Sequence, residues 1–115
     1  MTLDPNAMTR LLEITGGDVA FVDELVDTFL DDATTQLDAL RAAGGANDVA
    51  GIVRPAHSLK SNSDNVGATA LADQCRSLEA DARAGVVPGM AERIAAVETE
   101  FAAIRTALLE TRAAR

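Results

Sequence analysis

Apolar residues recur every three or four positions along most of the chain, and four clusters of turn-forming residues interrupt that rhythm. The interruptions are "TGGD" (Thr15 to Asp18), "GGAND" (Gly44 to Asp48), "NVGA" (Asn65 to Ala68) and "GVVPG" (Gly85 to Gly89). A period near 3.6 marks amphipathic helices, so the clusters divide the chain into five predicted helices. The first is short, from about Asp4 to Ile14, with Pro5 near its first turn. The second starts near Asp18, whose carboxylate suits an N-cap, and stops at Gly44. Its apolar face reads Val22, Leu25, Phe29, Ala33, Leu37 and Leu40. The third runs from about Asn47 to Val66, and the fourth from about Ala68 to Ala84, ended by Gly85. Leu71, Cys75, Leu78 and Ala82 share one face of the fourth. The fifth begins after Pro88 and carries Met90, Ile94, Val97, Phe101, Ile104 and Leu108. That alternation of four and three is close to the 3.5-residue period of helices packed at a shallow angle.

Short turns between long amphipathic helices make sequential neighbours antiparallel. The expected fold is therefore all-α: an up-down antiparallel four-helix bundle, with the short additional N-terminal helix covering one end. No linker or internal repeat divides residues 1–115, so one domain is expected. Pro55 is out of place in this scheme, because it falls inside the third predicted helix. There it removes a backbone hydrogen bond and crowds the carbonyl of Gly51. A kink or a loosened first turn near Gly51 is expected.

The third helix also carries the chain's one histidine, His57. On a helical wheel Ile52, Ala56, Leu59, Ser63 and Val66 fall within about 40° of one direction, which is the core side. His57 lies about 140° from that direction, Ser61 about 180° and Asp64 about 120°. The ring should therefore project into solvent and not fill the core. Arg54 and Lys60 stand three residues before and three after it, within side-chain reach on a helix. Ser61, one turn on, is small and leaves the ring open. The pattern is an exposed imidazole between two cations, where a phosphate on the ring would be partly neutralised.

Composition narrows what such a ring can do. The chain has 115 residues and a formal net charge of −8, which opposes nucleic acid and anionic membranes as partners. It has one cysteine, Cys75, so no internal disulfide is expected, which suits a reducing cytoplasm. No apolar run reaches the ~18 residues of a membrane span, and the start lacks a signal peptide's pattern. One histidine and one cysteine, the latter on a core face, make a poor metal site. Arg54 stands where a Glu-x-x-His metal pair would need its carboxylate. The chain contains no G-x-S-x-G elbow, no G-x-x-x-x-G-K-[ST] phosphate loop and no G-x-G-x-x-G fingerprint. A catalytic Cys75–His57 pair is not expected, because one faces the core and the other faces water. Without a nucleotide-binding loop the chain is not expected to be an enzyme, nor a kinase in its own right.

The stretch "AHSLKSNSDNVGA" (Ala56 to Ala68) resembles the phosphoacceptor motif of histidine-containing phosphotransfer (HPt) domains, H-x-L-K-[GS]-x-S-x-x-[LIV]-G-[AS]. His57, Leu59, Lys60, Ser61, Ser63, Val66, Gly67 and Ala68 all fit. "LADQCRSLEADARAG" (Leu71 to Gly85) is similar to the family's next helix, and "TGGDVAFVDELVDTFLDD" to its opening segment. The resemblance implies a cytoplasmic phosphoryl carrier in a two-component phosphorelay. His57 would accept a phosphoryl group from a histidine kinase, a hybrid kinase or a receiver-domain aspartate, and pass it to a response-regulator receiver. Lys60 would be the cation beside the phosphoryl group, with Arg54 assisting. Ser61 would take the small position that lets a partner approach, and Gly67 would end the helix. No cofactor of its own is implied, since the receiver would bring Mg²⁺. A monomer is expected.

Two residues depart from the motif. Asp64 stands where the family often has alanine, about 10 Å from His57 along the same stripe. It could tune which receiver docks or be a plain surface charge. Pro55 is the other. Two further readings compete with the carrier: an adaptor that binds a receiver or kinase without carrying phosphate, and the two-helix dimerisation domain of a histidine kinase. Retention of His57 and Lys60 opposes the first. Enough amphipathic helices to close a bundle in one chain oppose the second, and together with Met1 they lead to the expectation of a free-standing protein.

Overall fold

The computed structural model describes residues 7–114. Five helices follow one another: α1 (Ala7–Ile14), α2 (Val19–Gly45), α3 (Val53–Asn65), α4 (Thr69–Ala84) and α5 (Met90–Ala113), with a 3-10 turn at Ala50–Ile52 before α3. Asp4 and Pro5, expected in the first helix, lie outside the described residues. The molecule measures 43 × 22 × 21 Å. Its long axis is set by α2, whose 27 residues span about 40 Å at 1.5 Å per residue.

Helices α2 to α5 close a ring in which α2 packs on α3, α3 on α4, α4 on α5 and α5 back on α2. Polar pairs across the seams show the antiparallel register. Arg41 near the end of α2 meets Glu98 early in α5, while Arg112 at the end of α5 meets Asp27 near the start of α2, at 2.8 Å in each case. Exposed pairs of this kind contribute at most about 1 kcal/mol, so they mark the register more than they stabilise it. The stabilising layer is one contiguous apolar core. It is built from Val26, Phe29, Leu37 and Leu40 of α2, Ala56 and Leu59 of α3, Leu71, Cys75 and Leu78 of α4, and Ile94, Val97, Phe101, Ile104 and Leu108 of α5. The rings of Phe29 and Phe101 meet within it at a tilt, 6.1 Å apart. Among the described residues no helix is long and apolar enough to cross a membrane.

The helix starts and stops are largely those expected. Asp18 caps α2, its Oδ1 accepting from the Phe21 amide at 3.0 Å. Gly85 ends α4 with φ 94°, and Gly67 ends α3 with φ 75°. At the α3 end the amides of Gly67 and Ala68 donate back to the carbonyls of Asp64 and Ser63, at 3.1 and 2.8 Å. These are the paired bonds of a left-handed helix stop, which a side chain at Gly67 disfavours. Gly67→Ala should therefore lower stability by about 1–2 kcal/mol, read as a reduced urea midpoint at unchanged slope.

Three expectations need correction. First, α2 does not stop at Gly44. It continues to Gly45, and the reversal is made by Asn47, with φ 53°, closed by the Asp48 amide on the Ala43 carbonyl at 2.8 Å. Asparagine is among the few residues that enter this conformation readily. Gly44 serves packing instead, since a Cβ there would lie 2.7 Å from Ile94 Cδ1. Second, α3 does not start at Asn47. Asp48 caps a 3-10 turn, its Oδ1 accepting from the Gly51 amide at 3.0 Å, and the α-helix begins at Val53. Pro55 then falls in the first helical turn, where a missing amide costs no internal bond. The loosened segment expected near Gly51 is this 3-10 turn. Third, Leu25 is not core. Val26 takes that place, and Leu25 turns to a groove of about 470 Å³ between α1, α2 and α3. The α2 face follows i+4 from Val22, not the i+3 step that Leu25 implied.

Candidate functional site

The core side of α3 is the predicted one: Ile52, Ala56, Leu59, Ser63 and Val66 are all nearly or fully buried. That fixes the rotation of the helix, and with it the direction of His57. Its side chain is 55% exposed. The residues around it are drawn from both α3 and α4.

The central partner is Glu79 of α4, which is 6% exposed. Its Oε2 lies 3.0 Å from His57 Nδ1, and its Oε1 accepts from Lys60 Nζ at 2.7 Å. Arg83, one turn further along α4, donates to the same Oε2 from Nη2 at 2.8 Å and from Nε at 3.1 Å. A buried carboxylate persists only when paired. Here three donors meet it. The hydrogen bond from Lys60 does most to favour the ionised form, and those from Arg83 and His57 add to it. Together they outweigh the burial that opposes ionisation. The carboxyl of Glu79 falls from the ordinary 4.5 to about 2.

An ionised carboxylate can only accept, so the neutral ring must carry its proton on Nδ1 when it meets Glu79. The lone pair is then on Nε2, which makes no hydrogen bond with the described residues. The arrangement offers a fixed, half-exposed nucleophilic nitrogen beside a partly neutralised positive cluster. Such a nitrogen can attack an electrophilic phosphorus or carbon brought from outside.

The lowered pKa has a sign that can be tested. Because the folded value lies below the ordinary one, the stabilisation is fully present above about pH 4.5. It is lost as pH falls towards about 2. Urea unfolding across that window should show wild type losing stability faster than Glu79→Gln, which has no proton to gain there. Parallel curves would show that the cluster adds nothing to the fold.

The other predicted site residues are less concentrated. Arg54 is exposed in the first turn of α3 and forms no ion pair with any described residue. Ser61 is exposed one turn beyond His57. Asp64 is half exposed and turned towards α4, where Arg76 Nη2 approaches it at 3.5 Å, Arg76 also holding Asp73. Gly67 is buried in the stop described above. Cys75 is fully buried, and burial pushes its thiol up to about 12, so it has no part in the chemistry.

Sequence reasoning missed Glu79 and Arg83. A signal was available. Glu79 stands four residues after Cys75 and three before Ala82, on the core face of α4. A carboxylate in that position demands cationic partners, and Arg83 at i+4 is the first candidate.

Comparison with known proteins bears on the family and the fold. The sequence profile of the Hpt domain matches residues 24–107. The crystal structure of histidine-containing phosphotransfer protein B (HptB) from Pseudomonas aeruginosa PAO1 is similar, with a TM-score of 0.88 and 33% sequence identity. The match covers 99% of this chain and 96% of that one. No curated protein sequence matches the chain significantly.

Proposed function

The chain belongs to the Hpt domain family, and from that premise we propose that His57 is its phosphoacceptor. It takes a phosphoryl group from a histidine kinase, a hybrid kinase or a receiver-domain aspartate, and hands it to a response-regulator receiver. One observation carries the reading. Glu79 holds Nδ1 of the ring at 3.0 Å, and Nε2, on a ring 55% exposed, has no partner among the described residues. Nδ1 is thereby committed as donor, and Nε2 is the nitrogen that attacks.

Phosphoryl transfer needs in-line positioning and charge neutralisation more than it needs covalent help from the carrier. Positioning comes from α3, rotated by its buried face, and from the tether to α4. Neutralisation comes from cations already at hand. A phosphoryl group on Nε2 competes with Glu79 for Lys60, whose ammonium is only 2.7 Å from that carboxylate. Arg54 is a second cation, without an ion-pair partner among the described residues and three residues before the ring. Its place in the first helical turn is one that the helix dipole disfavours for a cation, which supports a role outside folding. Ser61 gives an incoming receiver room at the ring, and Asp64 lies on the rim of that approach. The Mg²⁺ that helps neutralise the transferring group belongs to the receiver.

The test is to mix the protein with a receiver domain carrying labelled aspartyl phosphate, then add a second, unlabelled receiver. The expected result is a label on this chain that is lost in acid and kept in base, and that then moves to the second receiver. Binding of the receiver without any transfer of label would overturn the reading in favour of an adaptor.

A further inference from the structure

We infer that Asp64 selects the receiver: a basic side chain of the partner meets this carboxylate while the partner's reactive aspartate stands over His57. This rests on the reading of His57 as the phosphoacceptor, and it names the kind of partner that the surface around the ring fits. That partner is a receiver domain with a lysine or arginine about 10 Å from its reactive aspartate, the rise of the two helical turns between His57 and Asp64.

The exposed stripe of α3 supplies the geometry. His57, Ser61 and Asp64 follow one another at steps of four and three, and all three are exposed. Ser61 is the small residue between the other two, so a partner laid over the ring reaches Asp64 across it. Charge along α3 runs against the helix's own dipole. Arg54 is a cation in the first turn, which has no acidic residue, and Asp64 is an anion in the last turn, which has no basic one. A helix favours the opposite arrangement at both ends, so the stability of α3 does not account for either residue. Together they give the face a polarity that a partner can read. Arg54 and Lys60 beside the ring suit the phosphorylated aspartate of a receiver, and Asp64, two turns on, suits a cation.

Asp64 is also incompletely neutralised by its own chain. Its ion-pair partner among the described residues is Arg76 of α4, whose Nη2 stays 3.5 Å from Asp64 Oδ2 while Nη1 donates a hydrogen bond to Asp73. All three side chains are at least half exposed. One guanidinium thus serves two carboxylates, and its hydrogen bond goes to Asp73. A cation brought by the partner completes the balance at Asp64 and leaves Arg76 to Asp73. Arg76 is therefore a competitor of the partner. Its removal should strengthen the docking that removal of Asp64 weakens, whereas a pair that served only the fold would give both substitutions the same direction.

The experiment follows label from a receiver domain carrying labelled aspartyl phosphate to the full chain, at a series of receiver concentrations. The probe is whichever receiver delivers label fastest to wild type. Asp64→Asn should raise the receiver concentration for half-maximal rate about 3- to 10-fold, and Asp64→Lys should raise it further, with the maximal rate within about twofold of wild type. The differences should shrink in about 0.5 M salt, as for any exposed charge pair. Arg76→Gln should lower the half-maximal concentration about twofold. Changing the receiver's facing lysine or arginine to glutamate should restore transfer to Asp64→Lys. Urea unfolding of the same variants shows that each is folded under the assay conditions, as half-exposed positions allow. An unchanged half-maximal concentration in Asp64→Lys, or a rise in both Asp64→Asn and Arg76→Gln, would overturn this inference while label on His57 kept the carrier reading intact. No label on wild type from any receiver would overturn that reading and this inference with it.

Discussion

Replacing His57 by glutamine removes phosphoryl uptake completely while leaving stability within about 0.5 kcal/mol of wild type. The second half of that result follows from exposure. The ring is more than half in solvent, and its one hydrogen bond to the described residues is to Glu79, which keeps Lys60 and Arg83. A glutamine amide can still donate to the carboxylate, so no buried charge is stranded. The first half follows from chemistry. An amide nitrogen has no available lone pair, and the chain has no second imidazole. Transfer of label from a phosphorylated receiver, read beside a urea unfolding curve, measures both. Acid-labile, base-stable phosphate on His57→Gln would mean that the nucleophile lies elsewhere, and the assignment would fall.

Leu59→Ala should do the opposite, removing stability and only secondarily function. Leu59 is two residues from His57 on the opposite side of α3, and it is fully buried in the contiguous core. Truncation loses the transfer free energy of the missing carbons and leaves a cavity that a closed bundle fills poorly. Substitutions of this type cost about 2–5 kcal/mol. Total stabilities of natural domains are about 5–15 kcal/mol, so the variant should be visibly less stable but still largely folded at room temperature. Equilibrium unfolding in urea gives the loss directly. Transfer measured well below the unfolding transition should fall far less than in His57→Gln. A change below about 0.5 kcal/mol would contradict the placement of Leu59 in the core.

The two variants separate what one helix does on its two sides, and that division was already legible in the sequence. The wheel of α3 placed Ile52, Ala56, Leu59, Ser63 and Val66 inward and His57 outward, because side-chain direction on a helix follows from sequence spacing alone. Asp18, Gly67 and Gly85 were legible for a similar reason, since caps and left-handed stops are local chemistry. The errors came where a local rule met a tertiary demand. Gly44 looked like a stop but is small because Ile94 packs there. Pro55 looked like a break inside a long helix, yet the chain had placed it where no amide is needed. Leu25 and Val26 are one residue apart, and the rotation of α2 against the rest of the bundle decides that Val26 meets the core and Leu25 the groove. Glu79 was hardest to see. Its role depends on the rotation of α4 against α3, so it became visible only when both faces were in place.

The buried thiol of Cys75 has a practical consequence. It is the chain's one cysteine, it is fully enclosed, and its thiol is held up at about 12, so almost no reactive thiolate exists at neutral pH. Thiol-directed reagents should find nothing to modify in the native protein. A cysteine introduced at exposed Ala84, the last residue of α4, would then be the single attachment point for a spin label or fluorophore. The approach of a partner to the ring could be timed from that point without first removing the native sulfur.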